Sequence, residues 1–235
     1  MPVLASPRAS TPHTPPFTLG QMMSRDSRAT TLRHLRAPVP LHFPESAEMP
    51  ESMLHLLVRT FLFQLLRHAL GGSHSVGSEQ FVYWAPTNPK RCVAPDVFVK
   101  LGVSQTSFGT WKTWRHGAPD LAVEILRPGE GHGGSWDEKL ARYGEMGVME
   151  LVRFDPEAAE GARLRVWDRL DEDLVEREVT GDVTPCVVLG WTWVLREIEG
   201  APVGLRLKDA NEDLVLTRVE ALEAENARLR AAAFP

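Results

Sequence analysis

The chain has 235 residues, 43% hydrophobic and 24% charged, with a net charge of −5. That is enough for one well-buried core with appendages, and the acidic balance counts against a high-affinity nucleic-acid binder that works by bulk electrostatics, though not against a metallonuclease. The two cysteines, Cys92 and Cys186, lack the C-x-x-C spacing of a zinc site and are too few for a disulfide framework, so a reducing cytoplasm is the simplest setting.

Residues 1–44 stand apart, with eight of the 18 prolines, five arginines, no lysine and a single acid, Asp26. This composition predicts a disordered, weakly basic tail. It reads as an unstructured leader, a stretch upstream of the true start, or an Arg-rich transit peptide. It lacks the apolar run and small-residue cleavage site of a secretory signal.

The main domain is expected over residues 45–210. A helix is expected to begin near Pro50, with Glu51 suited to the dipole of its first turn. Its apolar residues recur at Leu54, Leu57, Val58, Phe61, Leu65 and Leu66, and Gly71-Gly72 ends it. Arg59, Gln64, Arg67 and His68 interrupt it, so it is amphipathic and not membrane-spanning. Strands follow at 80–84 and 97–100. A Ser/Thr/Gly loop then holds Trp111 and Trp114, which either stack on bases or pack against the sheet edge.

Residues 121–126 form the next strand, and 128–134 a glycine-rich turn. A helix over 136–146 places Trp136, Leu140 and Tyr143 on one face and stops at Gly147. A strand at 149–154 is closed by Asp155-Pro156, and further strands are expected at 163–167, 174–179, 187–195 and 203–207. This order predicts an α/β fold of mixed α+β type, a central mixed sheet flanked by helices. Residues 211–235 form a last segment. There, Val219, Leu222, Asn226 and Leu229 follow a 3-4-3 spacing over 217–232. That pattern makes either a short parallel coiled coil joining a homodimer or a solvated terminal helix.

The run Leu121-Ala122-Val123-Glu124-Ile125-Leu126 puts a carboxylate in the middle of a buried strand. A charge there is costly unless it is paired or holds a metal. A second acid-tipped run, Ala94-Pro95-Asp96-Val97-Phe98-Val99, precedes it, and Lys139 follows on the predicted helix. Asp120 and Glu124 share a strand face but lie roughly 13 Å apart, too far to chelate one ion by themselves. Neighbouring strands are only about 4.8 Å apart. If the Asp96 and Glu124 strands pair, the two acids can share Mg²⁺ or Mn²⁺. Lys139 would then hold or deprotonate the attacking water, or neutralise transition-state charge. Each residue also has a plainer reading: Glu124 pairs with Arg127, Asp96 is Pro-Asp turn chemistry, and Lys139 is a solvated helix lysine.

Five segments in order carry a resemblance. They are Ala94-Pro95-Asp96-Val97, the stretch from Ala118-Pro119-Asp120 through Leu126, Lys139 with Tyr143, Gly147-Val148-Met149-Glu150, and Phe154-Asp155-Pro156. With them the chain resembles the PD-(D/E)XK nuclease superfamily, and more closely its bacterial restriction-endonuclease domain family of small stand-alone proteins. The resemblance implies a restriction-endonuclease-like core. It also implies a cytoplasmic, metal-dependent endonuclease that hydrolyses phosphodiester bonds in nucleic acid, DNA foremost. Asp96 and Glu124 then map to the metal ligands and Lys139 to the third catalytic group, with Asp120 and Glu51 peripheral. The superfamily's lysine two residues after the glutamate is replaced here by Leu126, and the helix lysine stands in for it. Arg127, Ser135 and Leu151 also depart from the family pattern, where serine, aspartate and an aromatic are usual.

These departures, with the acidic net charge, favour a second reading: a non-cleaving member of the fold that binds DNA or assembles. The Gly129-Glu130-Gly131-His132-Gly133-Gly134 turn has neither G-x-G-x-x-G spacing nor a Lys-Ser/Thr pair. It reads as a connector before it reads as a phosphate cradle.

Overall fold

The structure is a computed structural model of the chain; it describes Leu41, residues 52–127 and residues 134–233. The tail of residues 1–44, apart from Leu41, lies outside the described residues, as do Pro50, Glu51 and residues 128–133 of the glycine-rich turn.

Helix α1 (Met53–Leu70) begins after Pro50 and Glu51, because Ser52 caps it: Ser52 is extended, and its hydroxyl accepts from the His55 N–H at 3.2 Å. Gly71, at φ 62°, ends it. The buried stripe is His55, Val58, Leu62, Leu65 and Leu66. The expected stripe is therefore rotated, with Leu54 and Phe61 on its half-buried flank and a histidine inside it.

The strands that follow are β1 (Ser75–Gly77), β2 (Val82–Tyr83), β3 (Cys92–Val93), β4 (Val97–Lys100) and β5 (Trp111–Lys112). A four-residue helix, α2 (Thr113–His116), precedes β6 (Leu121–Ile125); then come α3 (Gly134–Met146) and β7 (Glu150–Phe154). The remainder is β8 (Leu164–Leu170), β9 (Asp173–Arg177), β10 (Thr184–Cys186), β11 (Trp191–Ile198), β12 (Ala201–Lys208) and α4 (Arg218–Ala233).

The fold is mixed α+β, as the order of elements implied. Its main sheet runs β1-β4-β6-β7-β8-β9. Neighbours are antiparallel except β6 and β7, which are parallel and joined by α3. Smaller sheets, β10-β11-β12 and β3-β2-β5, complete it. Val97 and Val123, facing one side of the main sheet, share a core with α1 and with Trp193, Leu205 and Leu207 of the β10–β12 sheet. Phe98 and Ala122, facing the other, pack with Trp136, Tyr143 and Met146 of α3. Glu150, fully buried, joins the main sheet to the second one by accepting from Val188 N and Trp193 Nε1, both at 3.0 Å.

Two expectations change. The 187–195 run is not one strand: Val187 is exposed and Gly190, at φ 68°, makes the turn between β10 and β11. The Ser/Thr/Gly loop contains β5, and Trp111 is buried between Phe98 and Phe108 with its Nε1 donating to Gly117 O at 2.9 Å. It is a packing residue and not a stacking platform. Trp114 stays exposed. No helix among the described residues is long and apolar enough to cross a membrane.

Candidate active site

Asp96 stands immediately before β4, and Glu124 is the penultimate residue of β6. These strands are antiparallel with Val97 opposite Val123. The start of one therefore lies beside the end of the other, and the two acids meet at one end of these two interior strands.

The two helices reach them from opposite faces. From α3, Lys139 Nζ lies 2.7 Å from Glu124 Oε2, and the Tyr143 hydroxyl donates to Glu124 Oε1. The i, i+4 spacing of Lys139 and Tyr143 puts both on one side of the helix. From α1, His55 Nε2 lies 3.0 Å from Asp96 Oδ1. The other Asp96 oxygen accepts the Ile125 N–H at 2.7 Å, giving that buried donor a partner where β4 has ended.

His55, Asp96 and Glu124 are buried, while the Lys139 side chain is 38% exposed and reaches the centre from solvent. Burial pushes the Glu124 carboxyl above its ordinary range; the Lys139 ammonium pulls it back, and the Asp96 charge pushes it up further. Burial, then the Glu124 charge, holds Tyr143 well above the usual phenol range, so its hydroxyl remains a proton donor. A pocket of about 370 Å³ opens on His55, Asp96, Glu124 and Lys139, with Arg127 and Arg142 in its wall.

The donor set decides which ion fits. Among the described residues no group of three or more His, Cys, Asp and Glu side chains is arranged to hold a metal, which does not suit zinc. Two carboxylates do suit Mg²⁺ or Mn²⁺, which keep several waters and take further oxygens from a phosphate. Asp96 Oδ1 faces His55 Nε2, the other three oxygens of the two acids accept a hydrogen bond, and a carboxylate has about four lone-pair sites. Capacity for a cation remains.

The structure thus brings Asp96, Glu124 and Lys139 together. It does not bring Asp120 to them. Asp120 precedes β6 at its far end, where it accepts from Lys100 Nζ at 2.8 Å and Leu101 N at 2.7 Å. Glu51 lies outside the described residues. Lys139, not Arg127, neutralises Glu124. Leu151 is fully buried core.

Two members escaped the sequence reading. Tyr143 read as an apolar-face residue and stood beside Lys139 in the family resemblance, without a role in the site. His55 carried one signal, a lone imidazole in phase with a buried helical stripe, but nothing in the chain indicates that Asp96 waits opposite it.

A family model described as "Uma2: Putative restriction endonuclease" matches residues 45–197. No curated protein matches the chain. Among solved structures it is similar to a putative nuclease belonging to DUF820 from Anabaena variabilis. The two are 13% identical, with 59% of this chain and 74% of that one covered and a TM-score of 0.39.

Proposed function

The chain belongs to the Uma2 family, described as "Putative restriction endonuclease", and from that membership and the site's geometry we propose that it is a metal-dependent endonuclease acting on DNA. The observation that carries the reading is the Lys139 ammonium 2.7 Å from a buried strand glutamate, with the buried Asp96 carboxylate, at the entry to the paired strand, acting on the same glutamate. Burying two acids together is unfavourable for folding alone; it is what a hydrolytic metal site requires.

Asp96 and Glu124 are the residues that hold Mg²⁺ or Mn²⁺. When bound, such an ion supplies positive charge that polarises a phosphodiester and eases ionisation of water. His55 and the Ile125 N–H fix the Asp96 carboxylate, and Tyr143 fixes Glu124, so neither acid must reorganise as substrate arrives. Lys139 has the reach and exposure to orient the attacking water and to offset charge building on the phosphoryl oxygens. Arg127 and Arg142 in the pocket wall are placed to meet flanking phosphates. In a homodimer each subunit would cut one strand of a duplex.

Digestion of plasmid and of single-stranded DNA with Mn²⁺ tests this, comparing wild type with Glu124→Ala and Lys139→Ala. Cleavage by wild type and its loss in both variants is the expected result. Equal cleavage in all three identifies a contaminant. DNA binding without cleavage by wild type favours the non-cleaving reading of the family fold.

A further inference from the structure

We propose that α4 is a self-association surface: it pairs in parallel, in register, with the α4 of a second copy of this chain. The proposal rests on this helix alone and not on the nuclease reading, so the mass measurement below and the digestion above can fail separately.

Among the described residues, the helix is tied down only at its start. Thr217 and Glu220 form a reciprocal cap, Thr217 N donating to Glu220 Oε2 at 2.7 Å and Glu220 N to Thr217 Oγ1 at 3.3 Å. Arg206 adds an ion pair to Glu220 at 2.9 Å. From Leu222 to Ala233 every residue is exposed. A helix of this length with no packed face is marginal in water. Yet it carries an apolar seam: Val219, Leu222 and Leu229 are 58%, 54% and 53% exposed.

The seam has heptad phase, with Val219 and Asn226 at a positions and Leu222 and Leu229 at d. That phase places Arg218 and Glu225 at g, and Glu223 and Arg230 at e. In a parallel pair each g residue faces the e residue five further along the other helix. Arg218 then meets the second copy's Glu223, and Glu225 meets its Arg230. Every such contact joins opposite charges, so the helix complements itself, and this identifies the occupant as a second copy. Glu225 also pairs with Arg228 of its own helix at 2.7 Å, but that pair is solvent-exposed and holds it weakly.

The charges alone would also fit an antiparallel pair. Asn226 decides the orientation. In parallel, the two asparagine amides face and hydrogen-bond each other; in antiparallel, each faces a leucine and is buried without a partner. Within a parallel coil, Val at a with Leu at d favours two strands over three or four.

Sedimentation velocity of the full chain over a concentration series tests the proposal. Wild type rises from 26.2 kDa toward twice that mass. The double variant Leu222→Glu/Leu229→Glu stays monomeric at every concentration and melts where wild type melts when dilute enough to be monomeric, because both side chains are exposed in the monomer. Glu225→Arg or Arg230→Glu alone weakens association about tenfold, and Glu225→Arg/Arg230→Glu together restores it. Ala233→Cys reports orientation: mild oxidation links the parallel dimer, whereas antiparallel partners hold the two thiols at opposite ends. A wild type monomeric throughout overturns the proposal. So does a dimer that survives the double glutamate variant, or an Ala233→Cys dimer that does not cross-link where wild type dimerises.

Discussion

Replacing Glu124 by glutamine separates chemistry from folding more cleanly than any other change to this protein. The side chain is 3% exposed, and both its oxygens accept hydrogen bonds, from Lys139 Nζ at 2.7 Å and from the Tyr143 hydroxyl. Glutamine keeps the shape and one acceptor while removing the charge whose burial raises the carboxyl pKa. Lys139 loses this one carboxylate contact, but its side chain is 38% exposed and the loss costs little. Removing a buried charge whose desolvation is only partly compensated stabilises the fold, and each kcal/mol gained raises the melting temperature by roughly 2–4 °C for a domain of this size. The direction with pH follows from the raised pKa. Between the ordinary carboxylate range and the raised value, the native state holds a proton that the unfolded chain has released, so wild-type stability falls as pH rises through that interval and stays lower above it. The melting temperatures of Glu124→Gln and wild type therefore coincide in acid and separate as pH rises, glutamine higher, while cleavage is lost. Glu124→Ala behaves differently: it strands the buried Tyr143 hydroxyl and costs about 1–3 kcal/mol. Thermal denaturation from acid to neutral pH, with plasmid digestion on the same preparations, checks both. A glutamine variant that melts as low as the alanine variant and still cuts would refute the reasoning and make Glu124 a structural carboxylate.

Lys139→Met lowers cleavage by about 10²–10³-fold while Mn²⁺ binding persists, which calorimetry and single-turnover digestion read together. His55→Ala withdraws the partner of Asp96 Oδ1 and lowers Mn²⁺ affinity about 10–100-fold, with partial recovery in His55→Gln; unchanged affinity would make His55 a core residue only. Asp120→Ala removes the acceptor of Lys100 Nζ and Leu101 N. It destabilises by about 1.5–3 kcal/mol, seen as a lower urea midpoint, and leaves Mn²⁺ affinity intact; a fall in that affinity would return Asp120 to the site.

The acids and the lysine were legible because a charge inside an apolar strand is anomalous in one dimension. Leu121 to Leu126 leaves Glu124 no neighbour but sheet, the order Asp96, Glu124, Lys139 resembled a family pattern, and β4 pairs with β6 as the two acids required. His55 was not legible, because its role depends on α1 lying across the sheet from α3, a long-range packing fact. The helix start moved for a local reason: Ser52 outcompeted the proline signal by capping. β1, β3 and β5 have only two or three residues each. Periodicity cannot register strands that short; their neighbours and buried side chains such as Trp111 create them. The apolar 187–195 run concealed a turn whose one cue was Gly190.

The claim on which the functional account rests is that Asp96 and Glu124 hold one divalent ion between them. Titration of the full chain with Mn²⁺, followed by the loss of its free-ion paramagnetic resonance signal, tests it directly. A single site in wild type, absent from both Asp96→Asn and Glu124→Gln while each variant melts as a folded protein, is the expected result. Equal uptake by all three proteins, or none by wild type, would contradict the account.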